Sequence, residues 1–288
     1  MLSPLAPPVH DQRRLAARFL QGDGIEVGAC HVPLWVDTRV ARVRYVDRWH
    51  VDELRALFPE LDGDIVPTDV LCDITREGLA PFAAASLDFV ILSNVLEHVP
   101  DPLSVALDAV RVLRPGGFLY VGLPDKDFTF DRGRAVTPLA HLIEDRRQRV
   151  TEADDEHLAE YVTKVLGLPV PQDERSRQEL FDRERRRSIH VHVWNWRAMV
   201  EMFEYLVGVE AAPLALRELY LPKGIAHEAI FILQKDTIPT ATRLPCFQAS
   251  ARLLIEREEQ QEAAYRASTM TLLHRLLRRA ARRLLGRG

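Results

Sequence analysis

The stretch that decides the fold of this chain is residues 82–123, FAAASLDFVILSNVLEHVPDPLSVALDAVRVLRPGGFLYVGL. Leu87–Leu92 is a short, mostly apolar run, a pattern typical of a strand that is buried on both faces. Asp101 and Pro102 then mark the start of a helix, whose apolar residues recur at helical spacing. A second apolar run, Phe118–Leu123, follows a glycine pair. The stretch therefore predicts one βαβ unit of a parallel, doubly wound sheet.

Further strands and helices are predicted on both sides of this unit. The other predicted strands are Gly24–Gly28, Ala41–Val46, Asp64–Leu71, Leu214–Leu221 and Glu228–Gln234. The other predicted helices are Asp11–Leu20, Val51–Phe58, Trp194–Val207 and the chain from Ala251 onward. The last two strands are expected to form a hairpin. Residues 125–190 interrupt this order with a polar stretch, which predicts two or three helices inserted after the fifth strand as a lid or substrate-binding segment.

Composition excludes several classes of protein. The chain has 288 residues and a formal net charge of −4, which gives no reason to expect nucleic-acid binding. Its 3 cysteines are far apart in the sequence, so neither a disulfide framework nor a cysteine-rich metal site is expected, and a cytoplasmic location fits. The first twenty residues lack the apolar core of a secretory signal, and no apolar stretch is long enough to span a bilayer.

Two motifs resemble a known family. The segment Ser93–Val99, SNVLEHV, is followed by Leu113–Gly117, LRPGG, and both are similar to motifs of class I S-adenosylmethionine-dependent methyltransferases, in the branch called methyltransferase type 11. A looser resemblance is to bacterial sugar O-methyltransferases of polysaccharide pathways. The resemblance implies a Rossmann-like, seven-stranded α/β sheet of order 3-2-1-4-5-7-6 with strand 7 antiparallel, and S-adenosyl-L-methionine as the methyl donor.

Residues at the ends of the first two predicted strands are candidate cofactor ligands. Gly28 would let the backbone approach a ligand, and Glu26 would help hold the methionine ammonium group; alternatively, both residues only form a tight turn. Asp47 ends the second strand, where an acid accepts hydrogen bonds from both ribose hydroxyls. The alternative for Asp47 is a surface ion pair with Arg44 or Arg48.

The ends of the third and fourth strands supply further candidates. The resemblance implies that Asp73 holds the adenine amino group and that Ile74 lies beside the ring, with Asp69 as the competing assignment for the acid. Asn94, after the fourth strand, is expected to contact the methionine portion of the cofactor through its backbone or side chain.

The loop after the first strand departs from the family pattern. Cys30 and Val32 occupy the positions of the second and third family glycines, and Pro33 is expected to shorten or disrupt the helix that normally follows. This departure keeps a second hypothesis open, in which the chain is a non-catalytic, Rossmann-like binding subunit.

Two histidines are candidates for a general base. His141 begins the insertion, and Glu144 or Asp145 could orient it. His98 follows the fourth strand and could face the transferred methyl group, although a helix-entry role in packing is equally compatible with the sequence.

A histidine pair raises the question of a metal. His190 and His192 form an HxH motif that, at strand spacing, would place both imidazoles on one face. Together with Asp125, Asp127 or Asp131 they could bind a divalent metal, but Mg²⁺ prefers oxygen ligands, so structural or substrate-binding histidines are favoured over a metal site. Trp194 and Trp196 are candidates for a sugar-stacking platform, with core packing as the alternative.

The C-terminal segment is predicted to be a basic amphipathic helix. Leucines alternate with arginine pairs in LLHRLLRRAARRLLGRG, which favours pairing in a homodimer over binding to an anionic membrane surface. We therefore expect a methyltransferase domain at 1–240, with a helical insertion at about 126–190, and a helical extension at 241–288. The expected activity is O-methylation of a small-molecule carbohydrate. The alternative acceptor is a lipid-linked glycan at a membrane.

Overall fold

The computed structural model describes residues 9–61, 65–223 and 226–285; for residues 9–11 and 268–285 it describes the helical backbone only. Seven strands form one sheet in the order β3-β2-β1-β4-β5-β7-β6, and every pair is parallel except β5–β7 and β6–β7, which are antiparallel. The predicted fold class and strand order are therefore confirmed.

The strands lie close to their predicted places. They are β1 Gly22–Val27, β2 Ala41–Asp47, β3 Val70–Leu71, β4 Leu87–Ser93, β5 Leu113–Pro124, β6 Leu214–Tyr220 and β7 Glu228–Lys235. The third strand is much shorter than predicted, because the residues before Val70 run along the sheet edge without forming a ladder. Part of that prediction, Asp64, lies outside the described residues.

Nine α-helices are described. They are α1 Val9–Ala17, α2 Val51–Leu57, α3 Ile74–Glu77, α4 Pro102–Val112, α5 Leu139–Gln148, α6 Asp155–Lys164, α7 Glu174–Arg187, α8 Trp196–Gly208 and α9 Thr240–Leu285. The described chain has no helix between β1 and β2, as Pro33 predicted, because proline removes a backbone donor and clashes with a preceding turn. The helix α4 starts where the sequence indicates: Asp101 Oδ1 accepts from Ser104 N at 2.9 Å.

The sheet separates two apolar layers. Alternation along the central strands sends Val90 and Leu92 of β4 into the larger layer, with α4 and α8, and sends Phe89 and Ile91 into a smaller layer covered by α1. All four side chains are fully buried. Because β1, β2, β3 and β4 are parallel, the polar residues that follow these strands lie at the same edge of the sheet.

The insertion after β5 consists of α5, α6 and α7 and has a small apolar core of its own, which includes Leu158, Val162 and Phe181. Its junction with the sheet contains a buried guanidinium. Arg134 donates to Asp131 Oδ1 at 2.9 Å, to Glu160 Oε2 at 2.9 and 3.0 Å, and to the His190 carbonyl at 2.8 Å. A buried charge with this many acceptors fixes the position of the insertion.

The helix α9 begins earlier than predicted, and its first turns belong to the core. Phe247 and Ala251 are buried in the larger layer, and Arg257 bonds Glu218 of β6. The predicted boundary at residue 241 therefore falls within a packed segment. The arginine-flanked leucines from Leu272 to Leu285 lie outside the residues whose side chains are described, so dimerisation through them stays a prediction. Within the described chain, no helix combines the length and the apolarity needed to cross a membrane.

We predict that Phe247→Ala lowers the free energy of unfolding by about 3–5 kcal/mol, because the substitution leaves a cavity in a close-packed layer. Leu253 provides a matched control on the same helix, since 67% of its surface is exposed, and Leu253→Ala should change stability by less than about 0.5 kcal/mol. Urea denaturation of both variants measures the difference. Equal stabilities would show that α9 is an appendage and not part of the core.

Candidate active site

Two cavities open at the edge where β1, β2 and β4 end. The strand-end cavity has a volume of about 440 Å³, within the usual range for small-molecule sites. The insertion cavity, of about 630 Å³, lies between this edge and α7. The residues that line both cavities are Arg48, Trp49, Asp73, Thr75, His98, Arg186 and Ser188. The two cavities are therefore neighbours with a common wall, which is the arrangement needed for a cofactor beside an acceptor.

The backbone turns sharply where β1 enters the strand-end cavity. Gly28 has a φ of +65°, and a Cβ atom there would meet only Val95 Cγ2, at 3.5 Å. Cys30 also lies in the left-handed region, with a φ of +47°. A cysteine at the second family glycine therefore keeps the glycine-like turn, at the cost of the strain that a side chain has in this conformation. Val32, at the third glycine position, is half exposed.

Two of the predicted acids line the strand-end cavity. Asp47 Oδ1 accepts from Trp49 N at 3.0 Å, and burial raises the pKa of this carboxyl. Asp73 caps α3, where its Oδ1 accepts from Thr75 N at 3.0 Å and from Thr75 Oγ1 at 2.6 Å. The competing residue, Asp69, instead accepts from Tyr45 N at 2.8 Å and is not in the cavity wall.

The other predicted cofactor residues divide into two groups. Ile74 and Asn94 line the cavity, and Asn94 holds a strained φ of +53° directly after β4. Glu26 does not line it: this buried carboxylate accepts from Leu34 N at 2.8 Å, and burial raises its pKa to about 7. Glu26 therefore closes the loop after β1 through Oε1, while its Oε2 has no partner among the described residues, and a contact with the cofactor ammonium, directly or through water, stays a prediction.

His98 lies in the wall that the two cavities share. Its Nδ1 is 3.0 Å from the Ile189 carbonyl, so Nδ1 carries the proton and Nε2 keeps its lone pair. Its side chain is 29% exposed, yet protein surrounds most of the ring. Burial, with a smaller contribution from His190, lowers the pKa of His98 to about 4. The imidazole is therefore neutral at pH 7 and able to accept a proton.

Glu97 is a buried residue of this site that the sequence pattern does not single out. This carboxyl is 1% exposed, neither oxygen has a hydrogen-bond partner among the described residues, and burial raises its pKa to about 8. Its backbone carbonyl accepts from Val191 N at 2.7 Å and from His192 N at 3.1 Å. The only sequence signal was its place beside His98, because the partner segment is more than ninety residues away in the chain.

The structure separates the second histidine candidate from both cavities. His141 lines neither of them, and its Nε2 is 3.2 Å from Asp145 Oδ2. Glu144, the other predicted catalytic residue, points to solvent and pairs with Arg147 and Gln148. Of the two predicted orienting acids, Asp145 is the one that contacts His141.

The predicted metal set does not converge on one point. His190 Nδ1 contacts Asp131 Oδ2 at 2.6 Å, whereas His192 Nε2 contacts the Pro100 carbonyl at 3.0 Å. The two imidazoles diverge because residues 190–192 are not in a strand. Asp125 accepts from Asp127 N and Trp196 N, at 2.9 Å each, and so caps two turns of backbone. Trp194 is buried in the core and does not form an open platform.

The insertion cavity is rich in arginine. Arg76 and Arg185 pair with acids at its rim. Arg48 and Arg186 line both cavities, and among the described residues neither has a carboxylate within ion-pair distance; Arg48 instead donates to Ser188 Oγ at 2.5 Å and to the Arg186 carbonyl at 3.2 Å. These two guanidiniums leave donors available to a polar ligand.

Comparison with known proteins assigns the class of this site. Residues 27–121, which run from the last residue of β1 through β2, β3 and β4 into β5 and include most of the strand-end cavity wall, match the family model described as a methyltransferase domain. Residues 27–121 are therefore similar to a methyltransferase domain. This match covers about a third of the chain, from the first strand-end glycine to β5, and leaves out the insertion and α9.

Curated relatives agree with this assignment over parts of their length. The chain is 34% identical over 134 residues to a probable S-adenosylmethionine-dependent methyltransferase of Mycolicibacterium smegmatis, covering 44% of this chain and 47% of that protein. It is 43% identical over 56 residues to an uncharacterized methyltransferase of Mycobacterium avium, covering 19% of this chain and 22% of the relative. The chain thus spans less than half the length of these relatives.

Solved structures are similar at a lower level. The carbon methyltransferase CurJ is 13% identical, with a TM-score of 0.41, and the match covers 76% of this chain and 50% of that one. The methyltransferase CalH, in complex with SAH, is 15% identical, with a TM-score of 0.35 and coverage of 78% and 55%. The fold assignment accordingly rests on the strand order of the sheet itself.

The methyl donor that the sequence resemblance implies is S-adenosylmethionine, and the strand-end cavity offers groups that suit it. Gly28 has no side chain, so a ligand can approach its backbone closely. Asp47 offers carboxylate oxygens to the ribose hydroxyls, and Ile74 supplies an apolar surface for the adenine ring. Trp49 Nε1 is buried without a partner in the described chain and lines the same cavity, so a donor is available to a ligand.

We predict that Asp47→Ala weakens binding of S-adenosylhomocysteine by about 10- to 100-fold, because hydrogen bonds to a charged group contribute about 1.5–3 kcal/mol. Asp69→Ala is the matched control, since this aspartate also contacts the end of the sheet, at Tyr45 of β2, but does not line the cavity. Titration calorimetry gives both dissociation constants. Equal weakening by the two substitutions would place the ribose elsewhere.

Proposed function

We propose that this protein is an S-adenosylmethionine-dependent O-methyltransferase that methylates a hydroxyl of a polar, carbohydrate-like acceptor. The observation that carries the proposal is the position of His98, in the wall shared by the strand-end cavity and the insertion cavity. A neutral imidazole between a cofactor and an acceptor can take the proton of an attacking hydroxyl.

The cofactor supplies an electrophilic methyl group when bound. The remaining work belongs to residues of this chain. The Ile189 carbonyl holds Nδ1–H of His98 at 3.0 Å and so keeps Nε2 available as the proton acceptor. A general base of this kind contributes ~10²–10⁴-fold to the rate. The cavity walls hold the cofactor and the acceptor together, with Asp47 and Asp73 on one side and α7 on the other. Holding two reactants in this way contributes at least as much to the rate as the base does.

The lining of the insertion cavity supports this class of acceptor. Arg48 and Arg186 offer hydrogen-bond donors that no carboxylate in the described chain occupies, and Asp182 and Glu152 add acceptors at the rim. Such a wall suits a hydrated, polyhydroxylated ligand better than a lipid chain. The resemblance to bacterial sugar O-methyltransferases supports the same class.

We predict that His98→Ala lowers kcat by ~10²-fold or more, within the range of one general base, and leaves the dissociation constant of S-adenosylhomocysteine within about threefold of the wild-type value. His50, an exposed histidine beyond β2, is the matched control, and His50→Ala should leave kcat unchanged. A loss of kcat in His141→Ala with a normal His98→Ala enzyme would move the base to the insertion.

The pH profile gives an independent test of the same base. The pKa of His98 is lowered, so its neutral, proton-accepting form is already complete well below pH 7 and is lost only as the pH falls through about 4. We therefore expect kcat/KM to show no acid limb between about pH 5 and 7. A limb centred near pH 6.5, the ordinary histidine value, would assign the base to a more exposed imidazole.

The alternative function, a non-catalytic binding subunit, was suggested by Cys30 and Val32. Cys30 keeps the positive φ that the family glycine would have, so this departure does not by itself remove the cofactor turn. Absence of heat on titrating S-adenosylmethionine to high micromolar concentration into the folded protein would favour the alternative. A membrane-peripheral enzyme acting on a lipid-linked glycan would show itself by co-sedimentation with anionic vesicles that is lost on removing residues 267–288.

A further inference from the structure

A cluster of three imidazoles lies outside both cavities. We call it the histidine cluster: His141 on α5, His157 on α6 and His192 in the segment before α8. The potential ligand atoms of these three residues all lie within 4.8 Å of one another. Their ring centroids are 5.2, 5.7 and 6.0 Å apart. Three imidazoles at nearly equal separations are arranged around a common point.

A carboxylate lies beside the histidine cluster. Asp145 Oδ2 is 3.2 Å from His141 Nε2 and 3.8 Å from His192 Nε2. His141 and Asp145 are four residues apart on α5, so the helix presents them on one face. The cluster therefore offers three nitrogen donors, from two helices and one extended segment, and the carboxylate of Asp145 lies close to two of them.

In two of the imidazoles, one ring nitrogen has a hydrogen-bond partner outside the cluster, which leaves the other nitrogen available as a metal ligand. His157 Nδ1 is 2.8 Å from Asp154 Oδ1, which leaves Nε2. His192 Nε2 is 3.0 Å from the Pro100 carbonyl; a carbonyl only accepts, so Nε2 carries the proton and Nδ1 keeps a lone pair. Metal-binding histidines ordinarily have such a carboxylate or carbonyl partner on the second nitrogen.

Several polar atoms in and beside the cluster are buried without a hydrogen-bond partner among the described residues. His192 is 1% exposed, and its Nδ1 has no hydrogen-bond partner among the described residues. His141 Nε2 and Asp145 Oδ2 are also buried and lack a bond of acceptable geometry. Native proteins rarely leave a group of buried polar atoms unpaired in one place. One cation would satisfy all of them at once.

We propose that the histidine cluster binds a structural Zn²⁺ ion. Three imidazole nitrogens are a donor set that suits zinc, and the neighbouring carboxylate of Asp145 is the candidate for the fourth position of a tetrahedral site. Mg²⁺ and Ca²⁺ prefer all-oxygen sites. The ion links α5, α6 and the segment before α8, and so holds these three parts of the insertion together. None of the four residues lines either cavity, so the ion takes no part in methyl transfer.

A second set of donors provides the competing location. Glu97, His98 and His190 also place ligand atoms within 4.8 Å of one another, beside the cavities. This set has three donors, and His98 borders open space, so a metal there would be incompletely enclosed. His190 belongs to this second set alone, which makes His190→Ala a matched histidine control.

The experiment measures metal content and thermal unfolding of untagged protein. Elemental analysis of the wild type is expected to give about one zinc per chain, retained in His190→Ala and lost in His157→Ala. Treatment with a chelator should lower the Tm of the wild type and of His190→Ala but leave that of His157→Ala unchanged. Zinc that is lost in His190→Ala and retained in His157→Ala would overturn the proposal in favour of the second set.

A further measurement uses wild-type protein alone, so its outcome does not depend on whether a variant folds. Chelator-treated wild-type protein is titrated with Co²⁺, whose intense visible absorption reports tetrahedral coordination, and Zn²⁺ is then added to displace it. We expect the bands to appear at one equivalent and to vanish with Zn²⁺, together with recovery of Tm. Absence of bands, or a Tm that neither Zn²⁺ nor Co²⁺ raises, would show that the imidazoles are packed without a metal.

Discussion

The contact on which the rest of the site depends is made by one backbone carbonyl. The Glu97 carbonyl accepts from Val191 N and His192 N, and so attaches the end of the insertion to the loop after β4. In the same junction, the Ile189 carbonyl accepts a hydrogen bond from the His98 ring, and the Pro100 carbonyl accepts one from the His192 ring. These bonds form the wall between the two cavities on one side and support the histidine cluster on the other. Buried backbone groups must be paired, so this junction is specified as strictly as a sheet ladder.

The arginine at the base of the insertion makes the same junction rigid. Arg134 is almost completely buried and reaches Asp131, Glu160 and the His190 carbonyl. Removing any partner would leave a buried guanidinium short of acceptors, which is strongly unfavourable. The insertion therefore has a defined position over the sheet edge, and its α7 supplies the far wall of the insertion cavity. A proposed zinc ion in the histidine cluster would add a second fixed point to the same segment.

Much of the fold was predictable because its determinants are local or repeat at a fixed period. Apolar runs gave the strands, Asp101 and Pro102 gave the start of α4, and Pro33 predicted the missing helix after β1. Residues at strand ends, such as Asp47 and Asn94, were predictable as cavity residues because parallel strands end at one edge of the sheet. The third strand was overestimated, since an edge segment with only one neighbour forms a ladder over very few residues.

The sequence by itself determined the doubly wound sheet, the polar strand ends and the presence of an inserted helical segment, because these follow from periodicity and from short-range capping. It left open which of Asp69 and Asp73 faces the cavity and which histidine borders it. Only the tertiary structure decided that Glu26 closes a loop, that His98 and not His141 borders both cavities, and that His190 and His192 diverge. The placements of His98 and His192 depend on contacts across about ninety residues of chain, between the β4 loop and the end of the insertion, and no local pattern encodes the direction in which a side chain meets so distant a partner.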